Sequence, residues 1–218
     1  MSPLRSAIAP ARFAAGSRWG FDMHMARPVT PRLEPIPAVA VKAREAMKDQ
    51  PINAVNVTAT MAHNRTISKA VNTFARTVLF DGDLPRRQIE LAVLRMGWNC
   101  QSVYEFGQHT LFGLDAGLTD AEIYLTTRPV TEGPWSDADR VILRIVDDLY
   151  VDDCVTDATW AEATVHFSAA DIVHLIAAAG CYRTVSGFLN SAGVELDDGV
   201  PGWPSAPGAS TRSTSSTA

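Results

Sequence analysis

Four residues between Glu90 and His109, in the stretch ELAVLRMGWNCQSVYEFGQH, are of types that can do chemistry together: Glu90, Ser102, Glu105 and His109. Glu105 and His109 are four residues apart and share one face of a helix. Ser102 and Glu105 stand where that helix should begin. Glu90 lies on the preceding apolar segment, close enough in sequence to fold back against them. Two carboxylates around an imidazole can hold and pass a proton near neutral pH. No other part of the chain gathers as many such groups.

The elements that must position these groups read as helices. Ile89, Ala92, Val93 and Met96 give one apolar face to a helix opened by Asp83 or Leu84, with Pro85 in its first turn. Glu90 is flanked by that packing, so burial makes it a candidate proton donor or acceptor. Its alternative is a simple pair with Arg86 or Arg87, three or four residues away on the same helix. Gly97-Trp98-Asn99 closes the helix. Ser102 and Glu105 then fit a capping box, which explains both residues structurally. The other reading places Glu105 in a pocket with His109. Leu111, Leu114 and Ala116 complete this helix, and Gly117 ends it.

The pattern E-x(11)-S-x-x-E-x-x-x-H resembles the core of the carboxymuconolactone decarboxylase and alkylhydroperoxidase D superfamily. In the peroxidase branch, Cys stands at the positions of Ser102 and Glu105. The strings YEFGQH and GLDAGLTDAEI are similar to the decarboxylase-like branch. The similarity runs from about Pro51 to Asp198. It implies an alkylhydroperoxidase D-like helical bundle. It also implies a cofactor-independent reaction on a small organic acid, lactone or carbonyl compound, and a homo-oligomer: a dimer, trimer or hexamer. His109 would shuttle the proton, with Glu105 or Glu90 orienting it. Ser102, Tyr104 and His63 are candidates for the substrate side. Tyr104 points away from His109 on a helix, and His63 lies in a turn, Ala62 to Arg65, where capping is the alternative role.

The rest of the chain also reads as helical, with no strand-like alternation of useful length, so the fold class is all-α. Helices are expected at Val39 to Met47, Asn56 to His63 and Ser68 to Leu79. Thr119 with Glu122 opens a short helix. Ser136 with Asp139 opens one striped by Val141, Ile142, Ile145, Val146 and Leu149. Asp157 is expected to cap Ala158 to Val165, and Ser168 with Asp171 to cap Ile172 to Ser191. Asp147, Asp148, Asp152 and Asp153 read as a solvated face. His166 and His174 lack partners in the pattern and read as structural.

With 218 residues, 46% apolar and 20% charged, the chain suits one domain with a real core. Three segments are expected: a flexible N-terminal tail over 1–30, the helical domain over 31–200, and a disordered tail over 201–218 rich in Ser, Thr, Pro and Gly. The Arg-rich start is readable as a transit peptide, a disordered extension, or residues upstream of a start at Met23 or Met25. A net charge of −5 with no basic stripe excludes a general nucleic-acid binder. No apolar run is expected to span a bilayer. Three unpaired Cys fit a reducing cytoplasm.

Three rival readings remain. A thiol peroxidase needs a low-pKa thiol, yet both Cys positions are altered and no CxxC exists. A non-catalytic ligand-binding member of the fold is the second. A metal site built from Glu90, Glu105 and His109 is the third, against the expectation that no metal is bound.

Overall fold

The computed structural model describes residues 26–48 and 54–206. The expected break at Pro51-Ile52-Asn53, residues 1–25 and residues 207–218 lie outside them. The described residues form an all-α fold. Its helices are α1 (Pro37–Met47), α2 (Val55–Met61), α3 (Arg65–Phe80), α4 (Arg86–Asn99), α5 (Val103–Asp115), α6 (Asp120–Leu125), α7 (Asp137–Asp152), α8 (Asp157–His166) and α9 (Ala169–Ala192). Short 3-10 turns cover Ala62–Asn64 and Val130–Glu132.

Local chemistry sets most of the boundaries. Thr119 and Glu122 form a reciprocal capping box, and so do Ser168 and Asp171. Ser136 accepts from the Asp139 N–H. The cap of α8 is Thr156, one residue before the expected Asp157, which sits in the first turn instead. α4 begins at Arg86, with Pro85 just outside it rather than in its first turn. Gly117 (φ +92°) and Gly193 (φ +69°) follow α5 and α9 in left-handed conformations that a side chain would strain.

α4 is the hub, and every residue from Ile89 to Gly97 is buried. On one side it packs with α7 and α9 through Ile89, Val93, Met96, Ile142, Ile145 and Leu175. On the other, Leu91 and Leu94 meet Phe106, Leu118, Ile123, Trp135 and Leu143. A helix buried all round must pair any charge it carries. α4 carries two, Glu90 and Arg95. Arg95 is 2% exposed, and its Nε and Nη2 each donate to one Asp147 oxygen at 2.7 Å. Its Nη1 donates to the Thr126 and Arg128 carbonyls at 2.7 and 2.8 Å. Asp147 therefore does not belong to a solvated acidic face as expected. It is buried because Arg95 needs a counter-charge inside the core.

α9, contrary to expectation, is long and apolar enough by length and composition to cross a membrane. In this fold it is a core helix, burying Ile172, Leu175, Ala178, Ala179, Tyr182, Val185 and Leu189 against α3, α4 and α7.

The flanks dock on this bundle. Arg27 Nη2 donates to the Cys100 carbonyl at 2.7 Å, and the Arg32 N–H to the Ala192 carbonyl at 2.7 Å. After α9 the chain folds back across α5. Asp197, buried there, accepts from Tyr104 Oη at 2.5 Å, Gln108 Nε2 at 3.1 Å and the Asn56 N–H at 3.0 Å. Gly107 allows the closest approach, since a Cβ there would lie 2.1 Å from the Pro201 carbonyl oxygen. Trp203 then sets its ring edge-on to Trp98 at 5.2 Å and tilted against Phe106 at 5.3 Å. Arg27, Pro201 and Trp203, expected in the tails, thus make contacts with the body.

Candidate active site

The buried carboxylate of α4 is answered from α5. Glu90 Oε2 lies 2.6 Å from His109 Nδ1. One helical turn before His109, Glu105 places Oε1 3.0 Å from Nε2. Glu90 is fully buried, and Glu105 and His109 are 3% and 4% exposed. α4 supplies one carboxylate, α5 the other with the imidazole, and the α4–α5 packing brings them together.

A ring with a carboxylate at each nitrogen is matched only when both nitrogens carry protons. Burial alone would push the His109 pKa down. The charges of Glu90 and then Glu105 override it and hold the group up at about 9. His109 is therefore an imidazolium at neutral pH. Its two contacts differ. Nδ1 is in a short hydrogen bond, whereas Glu105 Oε1 is at ion-pair distance but makes no well-directed hydrogen bond. The Nε2 proton is the less tightly held.

The surroundings are aromatic. Tyr182 of α9 sets its ring edge-on to the imidazole, centroids 4.7 Å apart, and Phe112 lies tilted at 5.1 Å. Arg86 Nε donates to Glu90 Oε1 at 2.6 Å. Glu90 thus meets both readings of its sequence at once: it pairs with Arg86 and also binds His109. Arg87 turns the other way, to Asp139 at 2.9 Å and to Glu122.

The expected capping box at Ser102 and Glu105 is not formed. Ser102 occupies the N-cap position of α5 without a side-chain cap bond. Its Oγ is buried and unpartnered, and Glu105 faces His109 instead. The carboxylate gains more from an imidazolium than from an N-cap amide that Gly97 already accepts at 2.9 Å. Tyr104 lies on another face of α5, its hydroxyl tied to Asp197. His63 is exposed and its Nε2 contacts the Glu34 carbonyl at 2.9 Å. Glu90, Glu105 and His109 are thus brought together, while Tyr104 and His63 are engaged elsewhere. Their donors do not converge on one point, as a shared metal would need, because the carboxylates sit on opposite ring nitrogens. Among the described residues no group of three His, Cys, Asp or Glu could hold a metal.

The two thiols that burial shields, Cys100 and Cys181, are poor nucleophiles. Burial pushes Cys100 up to about 11 and Cys181 up to about 12. Sequence reasoning missed Tyr182 and Phe80, which reach the site from α9 and α3. It also missed Phe112, whose place three residues after His109 on one helix was a usable signal.

Residues 66–148, which hold all of Glu90, Ser102, Glu105 and His109, match the family model described as carboxymuconolactone decarboxylase family. No curated protein matches the sequence significantly. Several solved structures share the fold. A peroxidase-related protein with an alkylhydroperoxidase D core from Ralstonia eutropha superposes with a TM-score of 0.69 at 17% identity, covering 79% of this chain and 95% of that one. A protein of unknown function from Agrobacterium tumefaciens gives 0.58 at 22% identity, covering 62% of this chain and 93% of that one. A debrominase in complex with 2,3,4-tribromopyrrole gives 0.65 at 8% identity, covering 78% and 94%. The segment that carries the site thus matches the carboxymuconolactone decarboxylase family model, and over most of the described chain the fold is shared with alkylhydroperoxidase D-like structures.

Proposed function

We propose that this chain is a lyase-like enzyme that carries out cofactor-independent acid–base chemistry on a small organic acid, lactone or carbonyl compound. Decarboxylation, or a related lyase or isomerase step, is the reaction class. The observation that carries the reading is the imidazolium of His109 held between Glu90 and Glu105, all three buried and with Phe112 and Tyr182 as ring neighbours.

Loss of carbon dioxide breaks a carbon–carbon bond and leaves the electron pair on carbon, delocalised as an enolate where a carbonyl adjoins it. A proton must then be delivered to that carbon. His109 Nε2 is the donor that fits, since its contact to Glu105 is the looser one. Glu90 keeps its bond to Nδ1 throughout, fixing the ring and steadying its charge. The neutral imidazole regains its proton from water. A proton-donor site works best in a low-dielectric pocket, where a fixed cation near the developing negative charge counts for most.

The thiol-peroxidase alternative is disfavoured by the raised Cys100 and Cys181 pKa values and by Ser102 and Glu105 at the positions where the resemblance places cysteines. A homo-oligomer and a cytoplasmic setting belong to the same proposal. The oligomer is supported by the apolar groups that α3 leaves on the surface, Ile67, Phe74 and Phe80.

The test is a panel of β-keto acids and lactones, scored for carbon dioxide release and for solvent deuterium at the product carbon. His109→Ala should lower turnover of any substrate found by about two to four orders of magnitude. A variant that keeps full turnover with its fold intact would overturn the assignment.

A further inference from the structure

We propose that Arg86 is the anion anchor of this site, using Nη2 to bind a carboxylate oxygen of the substrate and thereby selecting organic acids over neutral lactones and carbonyl compounds. The inference rests on the acid–base reading of the same cluster, which it deepens.

A guanidinium offers Nε–H and one Nη–H side by side, a fork that matches the two oxygens of one carboxylate. Arg95, on the same helix, uses the fork fully: Nε and Nη2 each take one oxygen of Asp147 at 2.7 Å. Arg86 uses half of it. Nε takes Glu90 Oε1 at 2.6 Å, but Glu90 Oε2 is already engaged by His109 Nδ1 at 2.6 Å. Nη2 is left buried with no hydrogen-bond partner.

A buried donor on a charged group is costly to leave unmatched. Arg86 is not loose enough to turn away. Its guanidinium carbon sits 4.4 Å from the centroid of the Phe80 ring and 5.0 Å from that of Phe112. Both rings attract the cation and fix its plane. Because Nε–H points at Glu90, the neighbouring Nη2–H points along the same edge, toward the carboxylate–imidazole cluster. The side chain is 25% exposed, so the guanidinium stands at the boundary between solvent and that cluster.

Charge fits as well. Arg86 and imidazolium His109 are balanced by Glu90 and Glu105. Glu105 Oε1 holds Nε2 at 3.0 Å without the short directed geometry of the Glu90 bond, so Glu105 is the member with which an incoming carboxylate competes. The substrate anion then takes its place in the balance, beside the Nε2 proton.

Benzoate and its neutral isostere benzamide serve as probes on the full chain, with isothermal titration and melting temperature recorded for each variant. The wild-type chain should bind benzoate at least tenfold more tightly than benzamide. Arg86→Gln should abolish that preference. Arg86→Lys, which keeps the charge but lacks the fork, should lose most of it, and it decides the matter if the Gln variant does not fold. No preference in the wild type, or an undiminished preference in whichever of the two variants folds, would overturn the anchor. The readout is binding, so a chain that holds benzoate through Arg86 yet shows no loss of turnover in His109→Ala would sink the acid–base reading and leave the anchor standing.

Discussion

The protonation state of His109 decides what the site can do. Its pKa is raised to about 9, so the acid form dominates below that pH and disappears as pH rises through it. A reaction that needs the Nε2 proton should run steadily through neutrality and fall off on an alkaline limb near 9. A site that needed neutral imidazole as a base would show the opposite limb. Glu105→Gln removes one of the two charges that raise the value. The alkaline limb should then move to lower pH, toward the ordinary range of histidine near 6.5. Measuring the pH–rate curves of both proteins on one substrate checks this. A limb that stays in place would show that Glu105 does not act on the imidazole.

At the scale of the element, α4 shows how charges are carried through a core. Arg95 and Asp147 form a buried pair with every guanidinium nitrogen of Arg95 near an acceptor. Removing one partner strands the other, so Asp147→Leu should cost about 3–5 kcal/mol of stability. Arg95→Met with Asp147→Leu should recover much of that loss, because both charges then leave together. Urea unfolding of the two variants measures the difference, and equal losses would show that the pair is not coupled. The same elements show what the sequence could and could not reveal. Helical periodicity located nearly every helix, since an apolar stripe must face a core whatever the topology. The Glu90, Glu105 and His109 cluster was readable because its spacing is local. Ser102 with Glu105 was ambiguous, because the same two side chains satisfy either a cap or a pocket, and only the position of His109 decides. Asp147 was misread because its neighbours Asp148, Asp152 and Asp153 mark a polar helix end. An arginine in the middle of the apolar α4 was the missed clue that a carboxylate had to be inside. Asp197 gave no local clue to its burial, since it bonds Tyr104, Gln108 and Asn56 from across the fold.

For the whole molecule, the question is what covers α3. Its inner side packs on α9, α4 and α2. Its outer side leaves Ile67 and Phe74 about half exposed, at 54% and 45%, one heptad apart on the same face, while Arg65, Lys69 and Arg76 lie half a turn round the helix. Phe80, at 51%, ends the same helix and shields the guanidinium of Arg86. A second copy seated on this face would bury apolar area that a lone chain leaves in water. Light scattering at micromolar concentration should therefore give a mass that is a multiple of the 23.5 kDa chain. Ile67→Glu with Phe74→Glu should shift it toward the monomer. The melting temperature taken at low concentration should hardly move, because neither side chain belongs to the buried core. A wild-type chain that scatters as a monomer would sink the homo-oligomer. An oligomer that persists unchanged in the double variant would place its interface on another face.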